Sequence, residues 1–160
     1  MAVKFTFTPI KSDGTSDTSH RVEITGDSLP TTADIQDNTT SISYNTVLGD
    51  FVDFPIALKR KLILKWDILS DTQVDALYYD GLLTAEKTNK RRFYRIDITG
   101  DSELKKKMEA LSTDSIYYLG TPVEWSRIAE NGSTTYYSGE LHFIQVIAYS
   151  LNNPVQQSNS

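Results

Sequence analysis

His20 and His142 are the only imidazoles in this sequence, and it has no cysteine. A metal site needs clustered His, Cys or carboxylate ligands at suitable spacing. The two histidines are far apart and belong to no HxH or HxxxH pattern, so each reads as an ordinary strand residue. No metal or other cofactor is expected, and neither a disulfide nor a thiolate site is open to the chain. A nucleophile elbow requires G-x-S-x-G. The nearest serine motif, "YSGEL" at 137–141, reads better as a strand with a bulge at Gly139. Asp53 with Glu124, or Asp97 with Glu140, have the residue types for glycoside hydrolysis. A chain with 21 acidic residues offers many such pairs, however. No phosphate loop or dinucleotide glycine pattern is present. On these grounds the chain is not expected to be an enzyme.

Two binding chemistries have some support in the residues. "KTNKRRFYR" (87–95) interleaves cations and aromatic rings, as a platform for single-stranded nucleic acid does. The net charge of −5 and sequence pI of about 5.0 count against it. Tyr44, Trp125, Tyr136 and Tyr137 would suit a sugar-binding face, although such residues more often serve as core or interface. Charge is segregated along the chain. Residues 1–57 hold three basic and eight acidic residues, 58–111 hold twelve and nine, and 112–160 hold one and four. A basic middle between acidic ends suits an acidic partner or the acidic segments of a neighbouring copy.

The elements that position these residues are mostly strands, in one domain over 1–150 with a polar tail at 151–160. "VKFTFT" (3–8) and "HRVEIT" (20–25) alternate at period two and predict a first hairpin. Residues 26–57 read as an extended, partly stranded arm outside the core. Its apolar cluster, Leu48, Phe51, Val52 and Phe54, needs cover. With the cations Lys59, Arg60, Arg91 and Arg92 it forms the candidate subunit interface. In "LKRKLILKWDILS", Leu62, Leu64, Trp66 and Ile68 share one face of a strand. Ser70 and Gln73 then form a capping-box pattern, and Val74, Leu77, Tyr78 and Leu82 recur at helical spacing. The helix is expected over about 70–84, ended by Gly81 and the polar run after it.

"RRFYRIDITG" (91–100) predicts another strand, and 102–111 a short helix or ordered loop. Residues 114–128 read as a strand interrupted at Gly120 and Pro122. Asn131-Gly132 is a strong hairpin signal, and "LHFIQVIAY", apolar on both faces, should be a central strand. The expected core is Leu62, Leu64, Trp66, Val74, Leu77, Phe93, Phe143 and Ile147. The start of the chain alternates and lacks the apolar run of a secretory signal. No stretch approaches the ~20 apolar residues that span a bilayer, so a soluble protein is expected.

Residues 34–149 as a whole resemble the small tail or baseplate structural proteins of long-tailed bacteriophages and prophages. "DIQDNTTSISYNTVLGDFVDFPIALKRKLILKWDILSDTQVDAL", "FYRIDITGD", "SIYYLGTPVEW" and "LHFIQVIAYS" carry the resemblance. "KRKLILKW" and "LSDTQVDAL" match the family's Lys/Arg-rich strand with a core Trp and its helix opened by "LS". "IYYLG" stands where the family has "FYVGD", and "DSELKKKMEALS" is longer than its usual turn. The resemblance implies a mainly β, tail-tube-like fold, a β-sandwich or barrel flanked by a helix. It further implies a structural subunit without catalysis that forms a ring, expected to be hexameric, beside other tail or baseplate proteins. Such a protein is made in the host bacterial cytoplasm and ends in the virion tail. It has no membrane partner and meets nucleic acid only as cargo passing through a tube. The alternative is a carbohydrate-binding β-sandwich module for host-surface adhesion.

Overall fold

The computed structural model describes residues 2–45, 51–109, 116–146 and 149–150, with backbone alone at 38–45, 51–58 and 149–150. The protein is mainly β. The strands are β1 (Lys4–Pro9), β2 (Val22–Thr25), β3 (Thr32–Asn45), β4 (Phe51–Ser70), β5 (Phe93–Thr99), β6 (Ile116–Leu119), β7 (Trp125–Asn131), β8 (Thr134–Gln145) and β9 (Tyr149–Ser150). Helix α1 occupies 71–89, between β4 and β5, and α2 (Ser102–Met108) follows β5. The strands form one sheet in the order β2-β1-β5-β6-β8-β4-β3, with β7 added to β8 and β9 to β4. Every pairing is antiparallel.

The sheet cannot lie flat. Its two end strands, β2 and β3, are joined through residues 26–31, a link that reaches at most about 25 Å. In a flat sheet of seven strands those ends would stand about 29 Å apart. Two hydrogen bonds mark the curl: Thr31 N–H donates to the Lys65 carbonyl (2.7 Å), and Trp66 Nε1–H donates to the Ser28 carbonyl (2.8 Å). Of the two expected architectures, this is the barrel-like one, a single curled sheet rather than two stacked sheets.

The inner face is apolar because alternation continues across the strands. Phe5 and Phe7, Leu62 and Leu64, Tyr94 and Ile98, Tyr117 and Leu119, and Leu141 and Phe143 are all buried in one cluster. Trp66, 1% exposed, lies among them. Helix α1 closes this face with Val74, Leu77, Tyr78, Leu82 and Ala85. Its start is set by the capping box. Gln73 N–H donates to Ser70 Oγ (3.3 Å), and Ser70 N–H donates to Gln73 Oε1 (3.0 Å).

Several expectations are corrected. The helix does not end at Gly81. Residues Asp75–Leu82 form a widened, π-helical stretch and the helix runs on to Asn89. Gly81 is instead a point of close approach, where a Cβ would lie 2.9 Å from Val22 Cγ2 and 2.7 Å from the Ala76 carbonyl. Lys90, at φ 57°, takes the left-handed position that ends the helix. Phe93 is not a core residue. The inward positions of β5 are Tyr94, Ile96 and Ile98, which leaves Phe93 half-buried on the other face. Only one of two adjacent aromatics on a strand can face the core, and here it is Tyr94, whose hydroxyl donates to the Leu82 carbonyl of the helix (2.9 Å). Gly139 is not a bulge. The extra residues are in β4 between Trp66 and Leu69 and in β7 between Arg127 and Ala129. Gly139 is needed because the Trp125 ring lies on its backbone, where a Cβ would meet Cζ3 at 2.8 Å. Ile68 leaves the apolar face at the β4 bulge and is 56% exposed. Ile147 and the tail at 151–160 lie outside the described residues.

Candidate assembly surfaces

The segment expected to be a partly stranded excursion is a long β-hairpin. β3 has 14 residues and β4 has 20, in register from Thr32↔Lys65 to Asn45↔Phe51. Polar composition hid β3, because its inward residues near the body, Ala33 and Ile35, are only two and are flanked by Asp34, Gln36 and Asp37. Beyond the body the hairpin continues as an arm. The β4 pairing with β8 ends at Lys61↔Ile144, and β9 covers only Ala57 and Leu58. Pro55 sits beside a register shift at Thr40/Ser41, a place where a strand tolerates proline. Of the expected interface residues, Phe51, Val52 and Phe54 lie on the β4 side of this arm, and Leu48 lies outside the described residues.

Arg60 is not a solvent-facing interface cation. It is 6% exposed and ties the root of the arm. Its Nε donates to Asp37 Oδ1 (2.6 Å) and its Nη2 to Asp37 Oδ2 (2.8 Å), a bidentate bond across β3 and β4. Its Nη1 donates to the Lys107 carbonyl near the end of α2, and its backbone N–H donates to Gln145 Oε1 of β8 (2.9 Å). The guanidinium holds the Asp37 carboxyl below its usual range. Burial beside this knot pushes the Tyr117 phenol up to about 12. Lys59, the neighbour on the opposite face, is half-buried.

Arg91 and Arg92 belong to a second surface, a groove of about 550 Å³ between the end of α1 and the start of β5. Leu83, Phe93 and Tyr118 supply its apolar lining, and Phe93 faces Tyr118 across the β5–β6 pair. Arg91 donates to the Lys11 carbonyl (3.0 Å), with its guanidinium 5.0 Å over the Phe93 ring. Arg92 is fixed by Glu86 (2.6 Å) and the Leu119 carbonyl (2.9 Å), and its Nη2 is buried without a partner. Lys87 and Lys90 line the same groove, exposed and without a carboxylate partner among the described residues.

A third surface escaped the sequence reading. The β4 bulge and the first half of α1 expose Asp67, Ile68, Asp75, Tyr79 and Asp80, with Asp71 half-buried beside them. None of these four aspartates has a cationic partner among the described residues. Ile68 and Tyr79, at 56% and 47%, are two of the three large hydrophobic residues exposed among the described residues. The spacing 71, 75, 79 along one predicted helix was the available signal.

Among the described residues, several groups of catalytic residue types are held in local ion pairs and turns. Asp17 accepts from Asn89 (2.9 Å) and Ser19 (2.7 Å) and meets His20 Nδ1 at 2.7 Å. Ser19 Oγ approaches the same Nδ1 (3.2 Å). A nucleophilic serine needs the ring nitrogen opposite the carboxylate, so this cluster fixes a turn. His142 pairs with Glu140 (2.9 Å), and Asp97 with Lys105 (3.5 Å). Among the described residues no group of three or more His, Cys, Asp or Glu is placed to hold a metal ion, and no helix is long and apolar enough to cross a membrane. Of the sugar-face candidates, Trp125 turns inward against Trp66 (5.9 Å between centroids) and Tyr78 (6.4 Å). Tyr137 packs against the core and Tyr136 is half-buried, while the Tyr44 side chain lies outside the description.

A scan against protein-family models finds no match to this chain, and a search of curated proteins finds none either.

Proposed function

We propose that this chain is a structural subunit of a phage or phage-like tail or baseplate, assembling into a ring through contacts between copies and performing no catalysis. The observation that carries this reading is the arm. Past Ala57, toward the tip, the only strand beside β4 among the described residues is β3, and β3 is itself the last strand of the sheet. A hairpin that leaves its body presents open backbone edges, which invite strand addition or burial against another chain. The sequence there, with Phe51, Val52 and Phe54, is apolar enough to need cover. The knot at Arg60 fixes the angle at which the arm leaves, as a repeating contact between copies requires. The partners are further copies and neighbouring tail or baseplate proteins, in the virion. A sugar-binding face has less support, because Trp125 faces inward.

The test is to shorten the arm at a paired position. Thr39 and Leu58 are partners in the register, so an Asn-Gly turn can join them in place of residues 40–57. Native mass spectrometry and negative-stain imaging of the full chain should show rings. The shortened chain should show monomers whose melting temperature matches that of the parent body. Rings that persist in the shortened chain, or a full chain that stays monomeric at every concentration, would overturn the proposal.

A further inference from the structure

The two ends of helix α1 carry complementary surfaces, and we propose that they dock head-to-tail between copies of this chain. The basic groove receives the acidic face of the neighbour's helix. This deepens the ring reading above and rests on it. The groove offers Lys87, Lys90 and Arg91 as cations over an apolar lining of Phe93 and Tyr118. The β4 bulge and the first half of the helix offer Asp67, Asp71 and Asp75 around the exposed Ile68 and Tyr79. Each surface thus pairs unneutralised charge with apolar area, and the signs are opposite.

One copy cannot satisfy itself. Asp71 and Asp75 precede Lys87 and Lys90 by 12 to 19 positions along helix α1, a separation of about 18–28 Å, too far for an ion pair within one copy. Each must therefore find its complement on another molecule. A contact between two different patches is heterologous, and it closes into a ring when the rotation per step divides the circle. A nucleic-acid strand in the groove is the competing occupant. Net charge argues against it, since the chain carries −5 and would repel a polyanion away from this groove. The competing occupant also leaves Ile68 and Tyr79 without cover.

Charge reversal tests the docking. Lys87→Glu with Lys90→Glu breaks the groove, and Asp71→Lys with Asp75→Lys breaks the acidic face. Native mass spectrometry should show each double variant as a monomer that melts as the parent monomer does. Mixed one to one, the two variants should assemble again as alternating copies, because the unaltered groove meets the unaltered acidic face at one junction and the two reversed surfaces meet at the next. A chain carrying all four reversals should regain the ring. Rings in either double variant alone would overturn the docking while leaving the ring reading intact. Rings there together with lost binding of labelled oligo-dT by the Lys87→Glu/Lys90→Glu protein would assign the groove to nucleic acid. A wild type that stops at a dimer would mean an isologous pair and would also overturn head-to-tail docking. A wild type that is monomeric throughout removes the ring reading, and the docking with it.

Discussion

Strand β4 is one continuous segment, yet its two halves are held by different physics. From Lys61 to Ser70 it has β3 or the 26–31 link on one side, β8 on the other, and a core cluster against Leu62, Leu64, Trp66 and Leu69. From Phe51 to Leu58 it has β3 and, at two positions, β9. The inner half is specified by side-chain burial, where a one-residue slip would turn Leu62, Leu64 and Trp66 out to water. The outer half is specified by backbone pairing with its own hairpin partner. A hairpin alone is marginal in water, so the outer half borrows its geometry from the inner half. Arg60, at the boundary, transmits it.

The inner half should therefore be the most sensitive place in the molecule. Trp66 is fully buried, contacts Trp125, and donates to the Ser28 carbonyl that helps close the curl. Trp66→Ala should cost about 3–5 kcal/mol, read as a shift in the urea midpoint. A loss below about 1 kcal/mol would mean that the two halves of β4 are not distinguished by burial.

The same distinction explains what was legible in the sequence. Alternation around Leu62–Trp66 and the Ser70–Gln73 box predict both the strand and the helix start, because burial and capping are local patterns. The basic residues 87–92 were also visible as a cluster. What was hidden depends on partners distant in sequence. β3 is a strand because β4 is beside it, and its polar residues give no period. Arg60 looks like a surface cation until Asp37, Lys107 and Gln145 are brought to it. Gly81 looks like a helix end until Val22 is packed against it. Phe93 and Tyr94 are equivalent as a sequence pair, and only the strand register decides which faces inward.

Removing the boundary residue should have a smaller effect than removing Trp66. Arg60→Met deletes the bonds to Asp37 and Lys107, but the Asp37 side chain is 41% exposed and can be hydrated in compensation. The expected loss is about 2 kcal/mol. Arg60→Lys should lose about half of that, since an ammonium cannot make the bidentate bond. The sharper readout is the arm. Hydrogen exchange of the β3–β4 amides beyond Thr39 should speed up in Arg60→Met more than exchange within the core. Uniform change across both halves of β4 would remove Arg60 from its boundary role.

At the far end of the inner half, Ser70 hands the strand over to α1. Ser70→Ala removes the acceptor for Gln73 N–H, and the expected cost is about 1 kcal/mol, with an unchanged denaturant slope. An effect as large as that of Trp66→Ala would place the corner, rather than the core, at the centre of the body's stability.

The smallest effect at neutral pH is expected at Asp17, in the turn between β1 and β2, remote from both halves of β4. Its carboxylate accepts from Asn89, Ser19 and His20, with Asn89 the largest influence, and these bonds hold its pKa well below the usual carboxylate range. A depressed folded-state pKa means that the stabilisation is fully present above the unfolded value of about 3.9. It is lost as the pH falls through the folded value. The wild type should therefore lose stability as the pH drops below about 4, in part through this group. Asp17→Asn keeps the shape but cannot accept from Asn89 and Ser19 as strongly, because bonds to an ionised acceptor are about twice as strong as neutral ones. At pH 7 it should cost no more than about 1 kcal/mol, and its stability curve between pH 5 and pH 2 should be flatter than that of the wild type. Parallel curves for the two proteins would show that the Asp17 turn plays no part in acid sensitivity. The carboxylates nearer the arm, Asp37 first, would then be the groups to substitute.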